Sequence, residues 1–305
     1  MIGRGLILPL VLAAGCSSAS SASQGTFDDR ASSDAAAPTV GESGSPARPS
    51  PPRDAATEAH EASAPPSPGS YDTEKTFVGE YAGLIRFRRV LSVGSLGSMP
   101  VLVSIYATIE IADDPANEAV TLTATACHAD SSGTGTGVLA GSTLQVPDVV
   151  MTSTHLDPVT ISASGSGASR TWRTTELHGP IGWKWTSPDD PIPTSTSDPR
   201  VFDQDGDGQP GVTMNVLWQG TTTPVDFVQT ERDTFSGTVA SNGDLAGTTA
   251  DATEQNVISS GLAGAPITSS DDSNTADNTV RLVRVSSPLT CAQLGAQMGT
   301  LFPSN

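Results

Sequence analysis

Two stretches of alternating apolar and polar residues decide the fold class of this chain: Ile105-Tyr-Ala-Thr-Ile109-Glu-Ile111 and Val120-Thr-Leu-Thr-Ala-Thr-Ala126. Apolar residues recur at every second position in both, which is the period of a β-strand with one buried face. Other short segments of this kind are separated by Gly, Pro, Asp and Ser. The predicted strands span residues 77–90, 101–111, 119–126, 138–146, 159–163, 170–177, 212–218, 225–231, 235–240 and 279–285. This succession predicts an all-β domain, either an antiparallel barrel or a sandwich.

A short C-terminal helix is predicted to follow the strands. Ser287 and Pro288 would cap and start it. An apolar stripe at spacings of three and four residues continues from there and should pack against the sheet. The stripe consists of Cys291, Leu294, Met298 and Leu301.

Charge and composition exclude several classes of protein. The 305 residues include 15 Lys and Arg against 33 Asp and Glu, a formal net charge of −18. Phosphate backbones and anionic headgroups would repel such an acidic chain, so we expect neither nucleic-acid binding nor a polybasic membrane contact. The three cysteines are too few for a disulfide-rich scaffold or a four-cysteine metal site.

The N-terminus predicts export and a lipid anchor. Arg4 precedes a short apolar run and small residues lead to Cys16, so residues 1–15 are predicted to be a signal peptide. The segment Ala13-Ala-Gly-Cys16 resembles the lipobox of bacterial lipoproteins, which implies a membrane anchor through diacylglycerol on Cys16. In that family a residue such as Ser17 after the cysteine favours the outer membrane. An ordinary cleaved signal with an incidental cysteine is the alternative.

Residues 16–70 are predicted to form a disordered tether. Ser, Ala and Pro fill 33 of the 54 positions from 17 to 70, and bulky apolar surface is confined to Phe27 and Val40. Such a segment cannot bury enough apolar surface to offset its ordering entropy. The chain is therefore predicted to divide into a signal peptide (1–15), a lipidated tether (16–70) and a β-rich domain (71–305).

A disulfide is predicted between Cys127 and Cys291. If Cys16 carries the lipid, these two remain as a pair, and export places them in an oxidising compartment. The bridge would tie the C-terminal helix to the third predicted strand and close a loop of 164 residues. The chain-entropy model assigns such a loop about 5 kcal/mol as an upper value. Two free thiols are the alternative.

An aspartate-rich loop at residues 198–213 carries the most specific chemistry. Asp203, Asp205 and Asp207 stand at alternate positions before Gly208 and Gln209. This is the first half of an EF-hand calcium loop, in which the seventh residue ligates through its carbonyl. Three carboxylates this close repel one another unless a cation lies between them. We therefore expect Ca²⁺ bound by the three aspartates and Gln209.

The likeness to an EF-hand ends at that point. Met214 stands where the bidentate glutamate belongs, and the flanking segments are predicted as strands, so we expect a weak affinity of ~10⁻⁴–10⁻³ M. An Asp-rich turn without metal is the alternative. The candidates for a missing ligand are Asp189, Asp190, Asp198 and Asp226.

Two family resemblances rest on these motifs. The segment Asp-Pro-Arg-Val-x-Asp-x-Asp-Gly-Asp-Gly-x-Pro-Gly-Val-Thr at 198–213 resembles the central motif of a group of bacterial lipoproteins and secreted β-domain proteins, and this resemblance implies no activity. Gly79-Glu-Tyr81, the antiparallel strands and the C-terminal helix resemble lipocalin-type barrels. That second resemblance implies an interior cavity for an apolar ligand.

The sequence predicts binding or structural work rather than catalysis. It contains no paired-histidine, nucleophile-elbow, Walker or dinucleotide motif, and its many acids are expected to be surface charge. Trp183 and Trp185 would share one strand face, which either stacks a glycan or packs in the core. We expect a non-enzymatic cell-envelope lipoprotein with a calcium-stabilised β domain and a structural or interaction role. The alternative is a ligand-binding module, with a lipocalin-like cavity or a Trp-based glycan site.

Overall fold

The computed structural model describes residues 71–133, 135–166, 169–261 and 266–303. The predicted signal peptide, Cys16 and the tether up to residue 70 lie outside the described residues. Within the described ranges most residues belong to antiparallel strands, and a short helix follows the last strand. The prediction of an antiparallel all-β domain with a C-terminal helix is confirmed.

Thirteen strands and three α-helices are found in these ranges. The strands are β1 (Gly79–Val93), β2 (Gly97–Asp114), β3 (Ala119–Ser132), β4 (Thr143–Gln145), β5 (Val159–Ser164), β6 (Thr171–Thr174), β7 (Leu177–Ile181), β8 (Val212–Trp218), β9 (Thr221–Val239), β10 (Leu245–Asp251), β11 (Glu254–Ser260), β12 (Ile267–Asp271) and β13 (Thr279–Val285). The helices are α1 (Tyr71–Glu74), α2 (Asp148–Ser153) and α3 (Cys291–Leu301).

The first three strands form a meander whose alternation follows the sequence prediction. β1 pairs with β2 along its whole length, and β2 pairs with β3. Odd-numbered residues of β1 and β2 face inward, as the burial of Phe87 and Val103 shows. A bulge in β3 opposite Tyr106 and Ala107 puts both Cys127 and His128 on the outer face.

The sheet branches at its two long strands, β1 and β9, and is therefore not a clean barrel. β1 pairs with β13 through residues 80–86 and with β12 through residues 89–93. β9 pairs with β11 through residues 225–230 and with β10 through residues 233–239. Because β13 pairs with β10 and β12 with β11, the two branches separate near Arg89 and Asp233. The other edge of β9 carries β8, β7 and β6 in succession.

The disulfide between Cys127 and Cys291 is present, as the sequence predicted, with the two Cα atoms 5.1 Å apart. It joins α3 to the outer face of the meander. There Leu294, which is fully buried, packs against Ala82 and Leu84 of β1. The disulfide and this small apolar cluster together fix α3 on the sheet.

The start of α3 differs from the prediction. Its N-cap is Thr290, whose hydroxyl accepts from the Gln293 amide while the Gln293 side chain accepts from the Thr290 amide. This capping box satisfies two backbone donors. The predicted cap at Ser287 and Pro288 is therefore wrong by three residues.

Strand prediction fails where polar residues form strands. β10, β11 and β12 are rich in Thr, Ser, Asp, Asn and Gln and show little apolar alternation, so no strand was predicted at these positions. The predicted strands 225–231 and 235–240 are one strand, β9, because neighbours on both edges pair with the residues between them. The predicted strand 138–146 is reduced to β4 after a 3₁₀ turn, and 170–177 divides between β6 and β7.

Candidate functional site

The aspartate loop brings its three predicted calcium ligands together. An isolated bridge closes the loop ahead of β8. Gly206 and Gly208 turn the chain with φ of +75° and +85°, a conformation that side chains other than glycine rarely adopt. One carboxylate oxygen each from Asp203, Asp205 and Asp207 lie within 4.8 Å of one another. That separation suits oxygen ligands on opposite sides of one Ca²⁺.

Backbone amides preform the loop. Asp203 Oδ1 accepts from the amide of Gly206 at 2.7 Å, and its Oδ2 accepts from Gly208 at 2.9 Å. Asp207 Oδ1 accepts from the amide of Gln209 at 2.8 Å, and the side chain of Gln209 is exposed. Each carboxylate oxygen has two lone pairs, so these bonds leave capacity for a cation. The same bonds would also stabilise an Asp-rich turn without metal.

Asp205 is the aspartate of the loop that has a buried carboxylate oxygen without a hydrogen bond from the described residues. It is 9% exposed, and its Oδ2 accepts from the Thr213 amide at 2.9 Å. Its Oδ1 is buried without a hydrogen-bond partner in the described part of the chain. Burial raises the pKa of Asp205, and the charges of Asp207 and Asp203 raise it further. A cation at this place would offset both effects.

The other proposed calcium ligands have different roles. Asp198 forms an ion pair with Arg200 at 2.8 Å, and hydrogen bonds from Arg200 lower the pKa of Asp198 to about 2. Asp226 is buried and accepts from the Thr213 hydroxyl at 3.0 Å. Among the described residues, four sequence-based candidates stay outside the three-aspartate group: Asp189, Asp190, Asp198 and Asp226.

Gln204 anchors the loop to the rest of the domain. Its Oε1 accepts from the Gly182 amide at 2.6 Å, just after β7, and its Nε2 donates to the Ser153 carbonyl at 3.1 Å, at the end of α2. Its role was not predicted from the sequence. Its partners lie 22 and 51 positions away, so no local pattern indicates them.

Trp183 and Trp185 do not form a coplanar exposed pair. Trp183 is 1% exposed, and its indole N–H donates to the Gln229 carbonyl at 2.9 Å. Trp185 is half-buried, and its ring plane meets that of Trp183 at 79°, with centroids 6.1 Å apart. Trp183 is therefore a core residue, and the prediction of glycan stacking is left with Trp185 alone.

A cavity of about 120 Å³ lies among the inward faces of the sheet. Apolar side chains surround most of it, including Phe87, Val103, Ala126, Met151, Met214 and Phe227. The alternation that predicted β1, β2 and β3 builds much of this wall. An apolar cavity of about 150 Å³ in another protein binds benzene, so this cavity matches a ligand with about one small ring.

One end of the cavity is polar. Phe227, Gln229, Glu231 and Asp233 stand at alternate positions of β9, and all four line the cavity. The Gln229 amide donates to the Glu231 carboxyl, and Gln255 Nε2 donates to Gln229 Oε1 at 2.9 Å. A pair of buried carboxyl groups therefore faces the apolar interior.

Arg89 occupies the branch point beside this pair. Its Nη1 lies 3.1 Å from Asp251 Oδ2 and 3.0 Å from Asp271 Oδ1. Its Nη2 donates to the Thr253 carbonyl and its Nε to the Ser269 hydroxyl, each at 3.1 Å. The guanidinium thus connects β1 to β10 through Asp251, and to β12 through Asp271 and Ser269.

The carboxyl pair favours protonation. Burial raises the pKa of Asp233 well above its usual range, and the charges of Glu231 and Asp251 raise it further. Burial, followed by the charge of Asp251, also raises the pKa of Glu231. Two neighbouring buried carboxyl groups cannot both ionise readily, so the pair favours a form in which one of them is protonated.

Comparisons with family models, curated proteins and solved structures gave no match. In the part of the chain that the structure describes, no helix has the length and apolar character needed to cross a membrane. We therefore derive the function from the geometry of the loop and the cavity.

Glu231 and Asp233 are cavity-lining candidate residues that were not predicted from the sequence. They were expected to be surface charge, as acids in a very acidic chain generally are. A signal was present in the run Phe227-x-Gln229-x-Glu231-x-Asp233-x-Phe235. The phenylalanines at its two ends and the two acids between them all occupy odd-numbered positions. In a strand that parity puts all five side chains on one face.

Proposed function

We propose that this protein is a non-enzymatic ligand-binding module that holds a small, mostly apolar molecule inside its β domain. The observation that carries the proposal is the cavity of about 120 Å³, with apolar walls and one polar end. Apolar walls give affinity by removing ligand surface from water, and a few polar groups fix the orientation of the ligand. The cavity combines both features.

A lipocalin-like barrel is the finer description of the fold that we propose with this function. The β1–β2 and β9–β10 pairings support it, because they connect strands that stand far apart in the sheet order. Arg284 of β13 lies over the ring of the buried Tyr81, 5.7 Å from its centroid, and donates to the carbonyls of Thr76 and Val78. These contacts tie the segment before β1 to the last strand.

A calcium ion at Asp203, Asp205 and Asp207 is the second part of the proposal. Asp205 supports it, because a buried carboxylate oxygen without a partner is costly and a cation would satisfy it. The ion would stiffen the loop ahead of β8, with affinity of ~10⁻⁴–10⁻³ M. The Gln209 carbonyl would be a further ligand.

An outer-membrane lipoprotein of the cell envelope is the setting that we propose for this domain. The lipobox-like segment ending at Cys16 and the Ser/Ala/Pro-rich tether support it. Mass spectrometry of protein extracted from membranes should find a mature chain that begins at Cys16 with added acyl mass. Recovery of an unmodified chain from the soluble fraction would overturn the anchor.

Binding in the cavity is tested by calorimetry on the full-length protein with single-ring compounds. Ala126 lines the cavity, so Ala126→Leu should fill part of it and weaken binding at least about tenfold. Ala246→Leu is the matched control, because Ala246 is exposed on β10 and should leave binding unchanged. Ala124→Leu repeats the test at a second wall position if Ala126→Leu folds poorly. Equal binding by the wall variants and the wild type would overturn the proposed function.

A further inference from the structure

We infer that the polar end of the cavity recognises the ammonium group of a small lipophilic amine, with Asp233 Oδ1 as its acceptor. This inference rests on the proposed function and names the ligand class for the same cavity. Four observations support it: the unpartnered oxygen, the excess of acids, the commitment of Arg89 elsewhere, and the size of the apolar chamber.

Asp233 provides an acceptor that the protein leaves unused. The residue is 3% exposed and lines the cavity. Its Oδ1 is buried, and none of the described residues gives it a hydrogen bond. A buried carboxylate oxygen without a donor is unfavourable, so a donor brought by a ligand gains a strong, charge-assisted hydrogen bond.

The charges around this oxygen favour a cation. Four acids and one base meet here: Glu231 and Asp233 of β9, Asp251 of β10, Asp271 of β12 and Arg89 of β1. Arg89 forms its ion pairs with Asp251 and Asp271 and acts on Glu231 and Asp233 only through space, where it lowers their pKa, so the four acids share a single base. A ligand ammonium would supply a second positive charge, whereas a ligand carboxylate would add to the repulsion.

The remaining neighbours of the pair carry no competing charge. On β7, the residues opposite Asp233 and Glu231 are Leu177 and Gly179. On β11, the cavity-lining residue Gln255 contributes a neutral amide, which donates to Gln229 of β9. Apolar walls over the rest of the chamber then favour a hydrocarbon body of about one ring.

Binding of an amine implies an exchange of protons. The raised pKa values of Glu231 and Asp233 favour a proton on the pair, whereas an alkyl amine with a pKa near that of lysine, about 10, arrives protonated at neutral pH. The ammonium binds, the pair loses its proton to solvent, and no covalent bond changes. Amine affinity should therefore rise with pH while the pair is protonated, by up to about tenfold per pH unit. A neutral ligand should show no such dependence.

The test compares three probes of similar shape on the full-length protein by calorimetry: benzylamine, benzyl alcohol and benzoate. We expect benzylamine to bind at least about tenfold tighter than benzyl alcohol, and benzoate to bind least. Titrations in two buffers with different ionisation enthalpies should show proton release with benzylamine alone. Equal affinity for amine and alcohol, or no proton release, would overturn this inference and leave the proposed function standing.

Variants distinguish the contribution of the Asp233 acceptor to ligand binding from that of the apolar walls. Asp233→Asn should bring benzylamine and benzyl alcohol within about threefold of each other and abolish the proton release, while binding of the alcohol persists. Asp226→Asn is the matched control on the same strand, because Asp226 is also buried but bonds to Thr213 and does not line the cavity. Glu231→Gln repeats the test if Asp233→Asn is poorly folded. Failure of all three probes to bind would overturn the proposed function together with this inference.

Discussion

Arg89 and Asp251 form a buried ion pair across two branches of the sheet, with 3.1 Å between Nη1 and Oδ2. Arg89 lies where β1 changes its partner from β13 to β12, and Asp251 is the last residue of β10. Backbone pairing is interrupted at such a branch. The guanidinium replaces part of it, because it also bonds to the Thr253 carbonyl between β10 and β11.

Arg89→Met should strongly destabilise the protein. Asp251, with a side chain 2% exposed, would lose its charged partner, and breaking a buried pair in this way costs about 3–5 kcal/mol. Urea denaturation measures the free energy of unfolding. Arg173→Met is the control, because Arg173 is exposed on β6 and should change stability by less than about 0.5 kcal/mol. Equal stability of the two variants would contradict a structural role for the branch-point arginine.

Asp233→Asn should raise the melting temperature at neutral pH. An acid whose pKa is higher in the folded than in the unfolded state binds more protons when folded, so stability falls as the pH rises above the unfolded-state pKa of about 3.9. The asparagine removes this loss. The difference in melting temperature between Asp233→Asn and the wild type should therefore be largest near neutrality and shrink towards pH 4. Scanning calorimetry from pH 4 to 8 measures this difference. A pH-independent difference would contradict the raised pKa.

Calcium should stabilise the protein through Asp205. With a dissociation constant of ~3 × 10⁻⁴ M, calcium at ~10 mM adds about 2 kcal/mol by mass action. Asp205→Asn should abolish the rise in melting temperature between chelator and calcium. Asp157→Asn should retain it, because Asp157 is an exposed aspartate outside the loop. A wild-type melting temperature that ignores calcium would rule out the ion.

Removal of the disulfide should loosen α3 more than the sheet. The Cys127→Ala/Cys291→Ala variant opens a loop of 164 residues, and we expect a loss of about 2–4 kcal/mol in unfolding free energy. Hydrogen exchange of the amides in α3 should accelerate, while those of β1 and β2 stay protected. Leu294→Ala provides the comparison, since it removes apolar packing of the same helix and keeps the bridge. Unchanged exchange in α3 would show that packing alone holds the helix.

Short-range features could be predicted from sequence because their physical causes are local. The apolar alternation around Ile109 and Leu122 produced β2 and β3, since a strand buries every second side chain. The three aspartates Asp203, Asp205 and Asp207 could be predicted to lie together, because residues two positions apart in a tight loop stay close in space. The pairing of Cys127 with Cys291 could be predicted because the chain has three cysteines and Cys16 was assigned to the lipid anchor.

The tertiary structure decided which acids lie inside the domain and beside the cavity. Arg89 and Asp251 are 162 residues apart, and their pairing depends on the register of β1, β12 and β10. Of these three strands, β10 and β12 have polar sequences that predicted no strand. A slip of one residue in β9 would turn Glu231 and Asp233 outward. The sequence by itself thus determined an acidic β domain with an aspartate loop and a cysteine pair. The carboxyl pair inside its cavity exists only because distant strands share one register, and that depends on packing of the whole β domain.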